Sequence, residues 1–255
     1  GGAGGTLGAE RASKAAADGY TLLTHHSGLP AGAALYANLR YDSKTAFEPL
    51  GLVNTGPMVL LSKKTLETKD AKELFAWLKT QGDKATVGFA GVGSNSYICA
   101  TLLQQQLGVK LAMVPYRGTG PATQAVLGGD VQITFVSMGP HMAFVKKGVL
   151  RVLGAAAPKR LPHMPDVPTF GEQGFPGFVA ETWFALFAPR GTPKAILDQI
   201  NGYTRGIHDD PEMARRMASS FVSPLPMTQA AFAALVKSDA TKWERVVKES
   251  GAKLD

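Results

Sequence analysis

The sequence predicts an α/β fold, with parallel and mixed strands flanked by helices. Three observations carry this reading. From Lys84 to Ser137 the chain reads strand, glycine turn, helix, strand, glycine turn, helix, strand. Elsewhere, apolar runs of strand length keep alternating with segments of helical spacing, as in parallel sheets joined by right-handed crossovers. The 255 residues hold 29 glycines, 45% hydrophobic and 18% charged residues, a globular mix with many tight turns. That length accommodates one large domain or two modest ones with a sizeable core.

The first twenty residues, GGAGGTLGAERASKAAADGY, open with glycines and become an alanine-rich helix to about Ala17, which Asp18-Gly19 ends. The spacing Gly2-x-Gly4-x-x-x-Gly8 is not a dinucleotide fingerprint, because G-x-G-x-x-G would put Leu7 at the third glycine. Tyr20–Thr24 reads as a strand that empties into His25-His26-Ser27-Gly28. Neighbours on a strand point to opposite faces, so one histidine lines a cleft while the other lies at the surface. Ala31–Asn38 reads as a short helix. Phe47–Val53 and Met58–Leu61 read as strands separated by Asn54-Thr55-Gly56-Pro57. Asp70-x-x-Glu73 is a capping-box pattern. The helix it opens buries Ala71, Leu74, Phe75 and Leu78 at helical spacing, and Gly82 closes it.

In the central stretch, Ala85–Ala90 is a strand and Gly91–Ser96 a turn opening a helix, Tyr97–Leu107. Leu111–Tyr116 is the second strand and Arg117–Gly120 the second turn. Pro121 takes the first helical position, which proline favours. That helix stops at Gly128-Gly129, and Val131–Val136 is the third strand. His141–Lys147 and Arg151–Ala156 add a helix and a strand. Leu161–Phe178 carries four prolines and three glycines and reads as a loop or an extended crossing. Trp183–Ala188 is a strand, and Pro193 to about Ile207 an amphipathic helix. Asp210-Pro211 starts another helix. Thr228–Lys248 is a long one whose Phe232, Leu235, Val236, Trp243, Val246 and Val247 form a core face, with Gly251 as the stop.

Charge and composition narrow the function classes. The net charge is +7, but the basic residues are scattered rather than striped, so a nucleic-acid partner is not expected. A basic surface instead favours anionic ligands. No run of 18 apolar residues occurs, so no transmembrane segment is expected. Cys99 is the only cysteine, which excludes an internal disulfide and a cysteine-built metal site. No carboxylate or third histidine stands at metal spacing from His25-His26, so no metal and no cofactor are expected. No G-x-S-x-G elbow is present, and no catalytic residue is assigned. The chain opens at Gly1 in the middle of a turn-to-helix motif, which reads as an N-terminus missing its preceding strand and any signal peptide.

The two glycine turns are chemically alike. Each follows a strand, is rich in glycine and hydroxyls, and launches a helix whose first N–H groups carry partial positive charge. In a parallel sheet both fall at strand carboxyl ends, where α/β proteins bind ligands. Gly93, Ser94, Asn95 and Ser96, with Gly118, Thr119 and Gly120, therefore read as two fingers around one small anion. Ser137, ending the third strand, joins them. His25, Ser27 and Trp183 are candidates for a facing wall, although Trp183 also suits a core.

GAGGTLGAE, DGYTLL, FEPLGLV, VPYRGTGPA, LGGDVQ, DVPTFGEQGFPGF and APRGTPKAILDQIN occur in this order along the chain. Together they resemble the tripartite tricarboxylate transporter substrate-binding family, the Bug-type periplasmic receptors, over essentially the whole chain. The resemblance implies a two-lobed periplasmic-binding-protein type II fold with a small organic carboxylate held in an interlobe cleft. It implies hinge closure, delivery to membrane permease subunits, periplasmic localisation and a monomer. It also implies about fifty further residues upstream, including one of the family's two ligand-gripping loops. Mapped onto this sequence, lobe one is 1–56 and 184–255, and lobe two is 57–183. The alternative is an α/β hydrolytic or nucleotide-dependent enzyme acting on a small anion.

Overall fold

In the computed structural model the chain divides into two compact units, Gly1–Thr55 with Trp183–Asp255 (unit one) and Gly56–Thr182 (unit two). The structure describes residues 3–30, 32, 36, 38–162 and 164–250, with the backbone alone for 242–250. Unit one starts with helix α1 (Thr6–Ser13). It ends four residues before the expected Ala17, where Ser13 Oγ donates back to Glu10 O at 2.8 Å. Such side-chain bonds offer the backbone an alternative to further helix.

Strand β1 (Leu23–His26) begins later than expected and contains both histidines. Its extent is set by antiparallel pairing with β7 (Glu181–Pro189), from Leu23 beside Phe187 to His26 beside Phe184. Most of the expected helix Ala31–Asn38 lies outside the described residues. Strand β2 (Phe47–Lys63) runs unbroken for 17 residues, where two strands were expected. Asn54–Pro57 does not interrupt it, because Thr55 exchanges backbone hydrogen bonds of 2.9 and 2.7 Å with Ser223. That pairing holds the strand extended at the step where Pro57 has no N–H to donate.

Unit two holds α2 (Ala71–Gln81), β3 (Thr86–Phe89), α3 (Asn95–Leu107), β4 (Ala112–Pro115), α4 (Thr119–Gly128), β5 (Ile133–Ser137), α5 (Met142–Lys146) and β6 (Leu150–Ala155). Its strands lie in the order β6-β2-β5-β3-β4. β3 is parallel to β4 and β5, while β2 is antiparallel to β5 and β6. Asp70 caps α2, its Oδ1 accepting from Glu73 N–H at 2.8 Å. Glu73 reaches back to Lys69 N–H at 2.7 Å, one residue beyond the partner a capping box uses. Ala71, Leu74, Phe75 and Leu78 are buried as the spacing predicts. They pack with Phe135, Phe170 and Phe178 in the core of this unit. Helix α4 starts at Thr119 rather than Pro121. Gly118 takes φ 122°, ψ 169°, a conformation open to glycine, and serves as the N-cap.

Returning to unit one, β7 lies beside β2 in the sheet. Helices α6 (Lys194–Gly206), α7 (Pro211–Ser219) and α8 (Gln229–Ser250) follow. Asp210 caps α7 through Glu212 N–H at 2.7 Å, with Pro211 in the first helical position. From α8, Phe232 is fully buried against Trp183 and Phe187, and Leu235 and Val236 pack on the same cluster. The side chains of Trp243, Val246 and Val247 lie outside the described residues.

Candidate functional site

β3 and β4 run side by side in register, from Thr86 beside Ala112 to Phe89 beside Pro115. Their carboxyl ends therefore finish together, about 5 Å apart, the spacing of paired strands. Tyr116 N–H donates to Phe89 O at 2.8 Å and carries the pairing one step further. α3 leaves from the end of β3 and α4 from the end of β4. Two helix N-termini thus open at the same edge of unit two. In the first turn of each, backbone N–H groups have no intrahelical acceptor. β5 is also parallel to β3, so Ser137 ends at this edge as well.

The hydroxyls of the first turn are already engaged. Ser94 is the N-cap of α3, its Oγ accepting from Tyr97 N–H at 3.2 Å. Ser94 Oγ lies 2.9 Å from Ser96 Oγ, and Ser96 Oγ accepts from Ala90 N–H at 2.9 Å. Both serines are buried. They shape the turn, and backbone N–H groups stand beside them at the helix mouth. Gly91 and Gly93 take φ 93° and 79° in this turn, which a side chain would strain. Asn95 Nδ2 donates to Thr182 Oγ1, tying the start of α3 to the segment leaving unit two.

The second turn is barer. A Cβ added at Gly118 or Gly120 would meet nothing within 4 Å, so this finger has space in front of it. Arg117 is exposed. One helical turn along, Thr123 Oγ1 lies 3.2 Å from His141 Nδ1, both side chains being buried. Burial holds the His141 pKa below its ordinary value. Ser137 is half-buried, and its Oγ donates to Met58 Sδ at 3.8 Å.

Gly93, Ser94, Asn95, Ser96, Gly118, Thr119, Gly120 and Ser137 thus share one edge of unit two, while His25, Ser27 and Trp183 belong to unit one. His25 is buried; its Nδ1 lies 2.9 Å from His26 N and 3.2 Å from His26 O, and the ring's other nitrogen is Nε2. That Nε2 lies against Gly5, where a Cβ would stand 2.4 Å away. Burial lowers the His25 pKa, which keeps the ring neutral. Ser27 is buried and donates its N–H to Trp183 O at 3.1 Å. Trp183, expected either on the facing wall or in the core, packs in the core cluster of unit one. It is 5% exposed, its Nε1 donates to Asp239 Oδ2 at 2.7 Å, and it packs edge-on to Phe232. This is a core side chain of unit one.

Thr123 and His141 escaped the sequence reading, as their pairing joins α4 to the turn after β5. The available signals were the spacing of Thr119 and Thr123 by one helical turn, and a histidine four residues beyond Ser137. A cavity of about 440 Å³ in unit one, lined by Phe47, Phe187, Val236, Lys44 and Lys237, involves none of the expected site residues. Among the described residues, no group of three or more His, Cys, Asp or Glu is placed to hold a metal. None of their helices is long and apolar enough to cross a membrane.

Residues 1–252 match the family described as "Tripartite tricarboxylate transporter family receptor". Protein BugT of Bordetella pertussis is 32% identical over 255 residues, covering 99% of this chain and 78% of BugT. The periplasmic binding protein BugD superposes with a TM-score of 0.94 at 33% identity, over 100% of this chain and 86% of BugD. MatC from Rhodopseudomonas palustris, solved with bound malate, superposes with a TM-score of 0.90 at 36% identity, over 96% of this chain and 85% of that one.

Proposed function

The chain belongs to the tripartite tricarboxylate transporter family of receptors, and from that premise we propose that it captures a small organic carboxylate outside the cytoplasm, in the periplasm, and delivers it to membrane permease subunits without chemical turnover. The carboxylate binds at the edge of unit two where α3 and α4 begin. The observation that carries this is the pair of helix N-termini set side by side at the ends of β3 and β4. Each presents N–H donors and the positive end of a helix dipole. The malate carried by MatC, an anion of this class, supports the reading.

Thr119→Pro tests the site. Thr119 is the first residue of α4, a position where proline's φ fits and only the N–H is lost. Gly118 has ψ 169°, the extended geometry that a residue before proline prefers. Thr119→Ala controls for the side chain. A hydrogen bond from a neutral donor to a charged acceptor contributes about 1.5–3 kcal/mol. Titration calorimetry with malate, or with the best ligand from a thermal-shift screen of mono-, di- and aromatic carboxylates, should show Thr119→Ala within about twofold of the parent and Thr119→Pro weaker by about tenfold or more. Equal affinity for the two variants moves the carboxylate away from this turn.

A further inference from the structure

We infer that His141 is a positioning residue for the carboxylate site, acting through Thr123 to hold the Gly118–Gly120 turn in register with the end of β5. The inference rests on the binding edge proposed above. Helix α4 packs through Ala122, Thr123, Ala125 and Val126, so Thr123 is the one polar side chain among its four buried residues. Small apolar side chains make a smooth contact that fixes rotation and sliding poorly, whereas a buried hydrogen bond is directional. The bond from Thr123 to His141, 3.2 Å long, supplies that direction.

Its location matters. Thr123 lies on the same face of α4 as Thr119, one turn along. The turn ahead of it holds Gly118 and Gly120, whose backbones have the widest conformational freedom of any residue. No side-chain cap holds the start of α4, where the Gly118 carbonyl accepts a backbone bond of 3.4 Å from Ala122 N–H. His141 sits in the short turn after β5, its N–H donating to Met138 O at 2.9 Å, and Met138 is buried. The anchor therefore belongs to the sheet edge at which the carboxylate binds. Ser94 does the corresponding work in the other turn by capping α3 directly.

Four variants in the whole chain test this: Thr123→Val, Thr123→Ser, His141→Asn and His141→Gln. An Asn side chain places its polar atoms near those of histidine Nδ1, and Gln places them near Nε2. The primary reading is amide hydrogen exchange of residues 118–122, which requires no ligand. Thr123→Val and His141→Gln should speed exchange there about fivefold or more, the effect of losing one buried hydrogen bond. Thr123→Ser and His141→Asn should stay within about twofold of the parent, and the start of α3 should be unchanged in all four. Affinity for malate should fall with the same pattern. Unaltered exchange at 118–122 in Thr123→Val overturns the inference, as does equal loss in His141→Asn and His141→Gln. Should Thr119→Pro weaken binding while Thr123→Val leaves exchange and affinity alone, the tether fails and the carboxylate site stands. Should exchange follow the predicted pattern while Thr119→Pro binds normally, the tether stands as structure, but the site reading fails, and with it the positioning role.

Discussion

Replacing Trp183 by Phe separates a core role from a ligand-facing one. The indole is 5% exposed and packed against Phe187 and Phe232, and its N–H donates to Asp239 at 2.7 Å. Phe keeps an aromatic ring but removes the donor, leaving the Asp239 carboxylate without it. Losing a hydrogen bond to a charged group costs about 1.5–3 kcal/mol. The smaller ring adds a cavity term, about 1 kcal/mol for the few atoms removed. The sum is about 2.5–4 kcal/mol, or a fall of about 5–16 °C in melting temperature for a chain of this size. Denaturant unfolding should show the loss, and malate affinity should stay within about twofold. A double-mutant cycle with Asp239→Ala should give a coupling of about 0.5–3 kcal/mol. Unchanged stability combined with a tenfold loss of affinity would refute the core placement and return Trp183 to the ligand.

Three further expectations follow from single sites. Asp70→Ala removes the cap from α2 and should cost about 1 kcal/mol in denaturant unfolding, with ligand affinity intact. Gly154→Ala puts a Cβ 2.6 Å from the Phe170 ring and 2.8 Å from Gln173 Nε2, so overpacking should destabilise unit two by about 1–3 kcal/mol; a neutral result would mean that the ring moves aside freely. His25 and His141 have pKa values lowered by burial, so the unfolded chain binds more protons than the folded one as pH falls below the ordinary histidine value of about 6.5. Their contribution is complete above that pH and is lost as pH drops through the lowered folded values. The denaturation midpoint should therefore decline from pH 7 towards 5, less steeply in His141→Asn, and an identical slope in that variant would remove His141 from the account.

The parts of the site that could be read from the sequence are those built by neighbours a few residues apart. A Ser at the mouth of α3 and glycines at positive φ beside it are set by local backbone sterics and capping. So is the Asp70 cap, and so is the burial of Leu74, Phe75 and Leu78 at helical spacing. What only the tertiary structure decided depends on partners far away in the chain. Asn54-Thr55-Gly56-Pro57 carries every local sign of a break, yet β2 runs through it because Ser223 supplies both hydrogen bonds to Thr55. Trp183 borders a strand end, where the sequence favours core over wall without naming a partner, and Asp239 and Phe232 arrive from α8. The hydroxyls of Ser94 and Ser96 look like ligand donors in sequence, and folding also makes them acceptors for Tyr97 N–H and Ala90 N–H and partners of each other. Thr123 and His141 meet only when α4 packs beside the end of β5. Local pattern sets φ and ψ and hence the turns and caps. The use to which a polar side chain is put depends on which partner satisfies it once it is buried, and in these cases that partner is supplied by the fold.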